Sequence, residues 1–152
     1  MGYEDLLKEA ENLSLVIKEK KLKLGDGLCY GNRIAISKDL ETLREKNGVL
    51  AEELGHYYTS HGNILDQSNM NNRKQEKRAR NWAYEKLAGI ISIVNAFEKG
   101  IRSRHDLAEH LNITENFLEE AIQHYREKYG LYCEIDTYVI YFEPSFGIFK
   151  KF

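Results

Sequence analysis

The chain reads as an α+β protein: a small antiparallel sheet packed on a two-helix core, then a helix-turn-helix-like segment and a C-terminal β-hairpin. Three observations predict this. Apolar residues recur at helical spacing over residues 3–12, 40–58, 72–88 and 101–129. Between the first two of these stretches, and again after residue 130, they alternate instead, the period of a half-buried strand. The chain has 152 residues, enough for one core without disulfide staples. Residues 1–100 are expected to form the main body, with 101–152 packed on it.

In "YEDLLKEAEN" (3–12), Leu6, Leu7 and Ala10 form the apolar stripe of a short helix. Leu13, Leu15 and Ile17 then alternate as in a strand, and "KLKLGDGLCYGNRIAIS" continues the theme. Gly31-Asn32 is a tight-turn dipeptide, since both residue types tolerate positive φ. Ser37 or Asp39 is expected to cap the next helix, which carries Leu40, Leu43, Leu50 and Leu54; Asn47-Gly48 weakens its middle. "TSHGNILDQSN" is a loop. The helix "NRKQEKRARNWAYEKLA" starts basic and presents Ala79, Trp82, Ala83 and Leu87, and Gly89 interrupts it before "IISIVNAFEK". In 101–129, Ser103 and Thr114 are expected to cap two helices sharing a core of Leu107, Ala108, Leu111, Ile113, Phe117, Ala121, Ile122 and Tyr125. The tail is aromatic and β-branched, with Asp136-Thr137 as the turn of a hairpin.

Composition narrows the function. A net charge of −2 argues against a polyanionic partner, so nucleic acid is not expected as a direct ligand. The two cysteines, Cys29 and Cys133, are far apart and suit reduced thiols in a cytoplasmic protein. The N-terminus is acidic rather than signal-like, and the longest apolar run, "GIISIV", falls far short of the roughly 20 residues of a membrane span.

The chemistry concentrates in "LAEELGHYYTSHG", residues 50–62. Glu52 and His56 are four apart, so on a helix they share a face and can grip one ion. Glu53 stands where the glutamate of an H-E-x-x-H helix serves as general base. Gly55, inside the helix, lets another segment approach closely. Glu76 on the next helix is the best third ligand, and His61 in the loop is the rival. Glu52, His56 and Glu76 can hold a divalent ion, and the extra carboxylate moves the preference towards harder ions such as Mn²⁺ or Fe²⁺.

"LAEELGHYYTSHGNI" followed by "KQEKRARNWAYEKL" resembles the ImmA/IrrE family of metallopeptidases over residues 13–90. That family pairs an H-E-x-x-H helix with a second helix bearing Glu-x-x-Ala-x-x-aromatic-Ala, which Glu76, Ala79, Trp82 and Ala83 match. The resemblance implies a zincin-like core and a cytoplasmic zinc-dependent endopeptidase of phages or mobile elements, whose substrate is a helix-turn-helix repressor. It makes His56 and Glu76 metal ligands and Glu53 the base. Glu52 departs from the pattern, standing where the family has histidine.

Other readings stand beside this one. The chain is alternatively a non-catalytic antirepressor on a degenerate peptidase scaffold, or a DNA-binding regulator acting through 101–129. Against the latter, Glu115, Glu119, Glu120 and Glu127 would face phosphates. Tyr57, Tyr58 and Tyr84 are oxyanion-donor candidates, though packing roles are commoner. Cys29 reads as a strand residue, not a nucleophile. With Tyr30 it belongs to an edge strand that would bind substrate by strand addition. His105, His110 and His124 have no metal-like spacing, and "RKQEKRAR" reads as a solvated face with Glu76 as its inward exception.

Overall fold

The computed structural model describes residues 1–59 and 70–151. Helix α1 (Tyr3–Asn12) leads into strands β1 (Val16–Lys20), β2 (Gly27–Tyr30) and β3 (Arg33–Ser37). Helices α2 (Leu43–Thr59), α3 (Met70–Leu87), α4 (Ile90–Glu98), α5 (Arg104–Leu111) and α6 (Glu115–Tyr129) follow. Strands β4 (Tyr132–Ile135), β5 (Tyr138–Tyr141) and β6 (Gly147–Lys150) close the chain. The α+β class holds. One cluster of buried residues, from Tyr3 to Phe142, spans both ends of the sequence. Among the described residues no helix is long and apolar enough to cross a membrane.

The first sheet differs in one respect from the expected antiparallel arrangement. Its order is β1-β3-β2, with β2 antiparallel to β3 but β1 parallel to it. The Gly31-Asn32 turn forms as expected, with Gly31 at φ +59°. β3 thus returns alongside β2, and its other edge is taken by β1, which already runs in the same direction. Alternation in sequence specifies the faces of a strand, not its neighbour. Both β1 and β2 are edges. At the C-terminus the hairpin at Asp136-Thr137 is present, and β6 extends it to three antiparallel strands.

Helix α2 begins later than its expected caps. Ser37 is buried and its Oγ accepts from the Asp39 amide in a turn (3.1 Å). Thr42 does the capping: its Oγ1 accepts from the Glu45 amide and donates to the Glu45 carboxylate, each at 3.1 Å. Asn47-Gly48 does not break the helix. Asn47 is fully buried, and its Nδ2 donates to the carbonyls of Met1 (3.0 Å) and Asn112 (2.9 Å). That bond pair ties α2 to the N-terminus and to the α5–α6 turn. The caps at Ser103 and Thr114 form as expected, accepting from the amides of Asp106 and Phe117 at 3.0 Å.

Helices α2 and α3 touch backbone to backbone. A Cβ at Gly55 would collide with the Ala79 carbonyl and lie 3.0 Å from its Cα. Ala79 is itself fully buried. The small pair Gly55/Ala79 therefore sets how closely the helices cross. On its other side α3 holds α6. Glu85 accepts from Lys128 Nζ (2.8 Å) and pairs with His124 Nε2 (3.0 Å). Tyr84 donates to Glu120 (3.0 Å), and the buried Tyr125 hydroxyl donates to the Ala88 carbonyl (2.8 Å).

Two predictions follow from these contacts. Gly55→Ala gains about 1 kcal/mol of helix propensity but forces the helices apart, a strain of about 1–3 kcal/mol. Its urea midpoint should therefore fall, and an unchanged or raised midpoint would refute the close-approach account. For Glu85, burial opposes ionisation, yet the bonds from Lys128 and His124 outweigh it and hold the carboxyl below its usual range. A depressed folded value stabilises above the unfolded value of about 4.3, and the contribution is lost as pH falls through the folded value. Urea midpoints of wild type and Glu85→Gln should therefore differ at pH 7 and converge below about pH 4. Parallel pH curves would exclude this linkage.

Candidate metal centre

Helix α2 presents Glu52 and His56 one turn apart, and α3 brings Glu76 against them. His56 Nε2 lies 3.3 Å from Glu76 Oε2. One donor atom from each of Glu52, His56 and Glu76 lies within 4.8 Å of the others. Ligands at about 2.0–2.2 Å from a tetrahedral ion stand roughly 3.3–3.6 Å apart. The His56–Glu76 spacing already meets that, and Glu52 needs only a small side-chain movement to join. This donor set of one imidazole and two carboxylates fits a divalent ion. His56 is buried, and its Nδ1 has no hydrogen-bond partner among the described residues, so the ring is oriented from its Nε2 side.

Glu53 points to the other wall of the same cleft. It is 7% exposed. Burial first, then the neighbouring Glu52 and Glu76, push its carboxyl up to about 8. Strand β2 runs alongside. A Cβ at Gly27 would sit 2.8 Å from Glu53 Oε1 and 2.8 Å from Val49 Cγ1. Glycine at that strand position is what makes room for the carboxyl. The cleft, about 450 Å³, is lined by Gly27, Cys29, Glu52, Glu53, His56, Glu76 and Arg80 among others.

Glu52 is also engaged elsewhere. Arg80 Nε donates to its Oε1 at 3.3 Å, with the Arg80 side chain just over half exposed and that of Glu52 about one-third exposed. Arg80 and Gly27 are the two residues of this site that sequence reasoning passed over. The basic run places Arg80 on a solvated face, although its position four residues after Glu76 is same-face spacing and carries the signal. Gly27 had no such signal, because its role depends on which helix faces β2.

The remaining expected residues divide. Cys29 lines the cleft, whereas Tyr30 is exposed on the opposite face of the sheet, as strand alternation requires. His61 lies outside the described residues. Tyr58 stacks on Trp82 (centroids 4.9 Å apart), and Tyr84 is committed to Glu120, so both have packing partners. A second cluster, His105, Asp106 and Glu109, is exposed, and His105 pairs there with Glu115 at 2.7 Å. In the basic run, Lys77 pairs with Glu127 (3.0 Å) while Glu76 turns inward.

The model of the peptidase M78 family, described as an IrrE N-terminal-like domain, matches residues 8–123. Neither the curated proteins nor the solved structures give a match.

The cleft also fixes the reactivity of its thiol. Burial, and then the Glu53 carboxylate, push Cys29 up to about 11. At pH 8 its thiolate fraction is roughly a hundredfold below that of a free cysteine. In a Cys133→Ser background, Cys29 should react with a disulfide reagent at least about a hundredfold more slowly than free cysteine. A rate near that of free cysteine would contradict the burial and charge described for this wall.

Proposed function

Because the chain belongs to the peptidase M78 family of IrrE N-terminal-like domains, we propose that it is a metal-dependent endopeptidase acting on a regulatory protein. The scaffold is metallopeptidase-like, and the family implies a divalent metal. The observation that carries the reading is the convergence of Glu52, His56 and Glu76 beside the buried Glu53 in one open cleft. His56, Glu76 and Glu52 would hold the ion, with zinc as the expected metal and manganese or iron(II) as alternatives. Such an ion, when bound, supplies Lewis acidity and lowers the pKa of water.

The chain's own residues do the rest. Glu53 accepts the proton of the attacking water on a carboxylate oxygen and delivers it to the leaving amine. Its raised pKa suits a group that must hold a proton between those two events; a cation beside Glu52 and Glu76 offsets their effect and brings it towards the operating range. Strand β2 is an edge beside the cleft, which supports binding of an extended substrate segment by backbone hydrogen bonds. The substrate proposed is a helix-turn-helix repressor of a phage or mobile element, in the cytoplasm. Segment 101–129 supports α3 and serves protein recognition in this reading, not DNA binding.

A second reading has one observation in its favour. The Glu52–Arg80 pair occupies a ligand position, as a non-catalytic binding protein on the same scaffold would permit. Metal analysis separates the two. In the enzyme reading the purified protein binds zinc, and His56→Ala abolishes that binding. Glu53→Gln then retains zinc but loses about a hundred- to ten-thousand-fold in cleavage rate of the cognate repressor. Full cleavage by Glu53→Gln would remove Glu53 from the mechanism, and partner binding without metal or cleavage would establish the non-catalytic reading.

A further inference from the structure

Glu52 stands where an H-E-x-x-H helix has a neutral imidazole. A carboxylate there adds a full negative charge to a cleft that already contains Glu53 and Glu76. Like charges so close are unfavourable, and an anionic ligand set lowers the Lewis acidity of the ion it holds. Arg80 answers that charge. It lies one turn beyond Glu76 on the same helix, is the only lysine or arginine lining the cleft among the described residues, and donates to Glu52 Oε1. One carboxylate has acceptor sites enough for both a guanidinium N–H and an ion.

We propose that Glu52 and Arg80 act as one unit standing in for the neutral histidine: Glu52 supplies the oxygen ligand and Arg80 cancels its charge. The inference rests on the metal reading above. With Arg80 counted, the two-residue unit is neutral, and the ligand set carries the single negative charge of a His-His-Glu site. Arg80 thus acts on the ion only through Glu52, and it is placed by the same Gly55/Ala79 contact that brings α3 against α2.

The test is the zinc affinity of the full-length protein, measured by calorimetry with chelator competition, for wild type, R80Q, R80K, E52H and E52H/R80Q. Thermal melts establish that each variant is folded. A unit charge roughly 6 Å from a divalent ion in a water-like dielectric changes affinity by about tenfold. R80Q should therefore bind zinc about tenfold more tightly than wild type, since the anionic Glu52 is left uncompensated. R80K keeps the charge and should stay within about threefold of wild type. E52H leaves the arginine without its carboxylate and should bind more weakly; E52H/R80Q removes both charges and should return towards wild type. Zinc binding by wild type with R80Q unshifted, or with E52H/R80Q no tighter than E52H, overturns this proposal alone. A wild-type protein that binds no zinc, manganese or iron(II) overturns the metal reading and this inference together.

Discussion

Two helices bring their backbones into contact only where neither presents more than a methyl group at the crossing. Gly55 on α2 and Ala79 on α3 meet that condition. Everything chemical in the molecule hangs on the crossing they permit. His56 follows Gly55 directly, and Glu76 precedes Ala79 by one turn, so the 3.3 Å approach of their side chains is the local consequence of the backbone contact. Arg80 follows Ala79 and reaches Glu52, one turn before His56. A bulkier pair would separate the helices by more than side-chain rotation recovers, because donors around one ion must stand only about 3.3–3.6 Å apart.

The crossing gathers charge that must then be balanced. Among the described residues, Glu52, Glu53 and Glu76 share one cleft with a single guanidinium, that of Arg80. The balance is not uniform. Glu52 has Arg80, Glu76 lies 3.3 Å from the His56 ring, and Glu53 packs with Val49 against the bare backbone of Gly27. The raised value of Glu53 follows from that inequality, since it combines the deepest burial with two anionic neighbours. Environment, more than residue type, separates the roles of chemically identical carboxylates.

Much of this was legible in the sequence, and the parts that were not share a physical cause. The i, i+4 spacing of Glu52 and His56 and the spacing of Ala79 and Ala83 after Glu76 are local patterns, and helix geometry converts them directly into a shared face. The caps at Ser103 and Thr114 and the turns at Gly31-Asn32 and Asp136-Thr137 are likewise local. The start of α2 was misjudged because Ser37 has cap chemistry but is buried in a turn of its own, leaving Thr42 to cap. Asn47-Gly48 weakens the helix by local propensity, and its compensation comes from Met1 and Asn112, remote in sequence. The parallel pairing of β1 with β3 is non-local in the same way, and so is the need for glycine at residue 27.

Helix α3 is the wall shared by two halves of the molecule, and this decides how the downstream helices are to be understood. One face carries Glu76 and Arg80 towards α2. The other uses Tyr84 and Glu85 to engage Glu120, His124 and Lys128 of α6. The apolar side of α6 is spent on this packing, with Leu118, Ala121, Ile122 and Tyr125 all buried. Its exposed residues include Glu119, which pairs with Arg104 of α5, and Glu127, which pairs with Lys77 of α3. A recognition helix needs a free cationic face to meet phosphates, and here the acidic groups draw the nearby cations into the protein's own contacts. Within the fold, the segment 101–129 buttresses the wall that holds Glu76 and Arg80 in place.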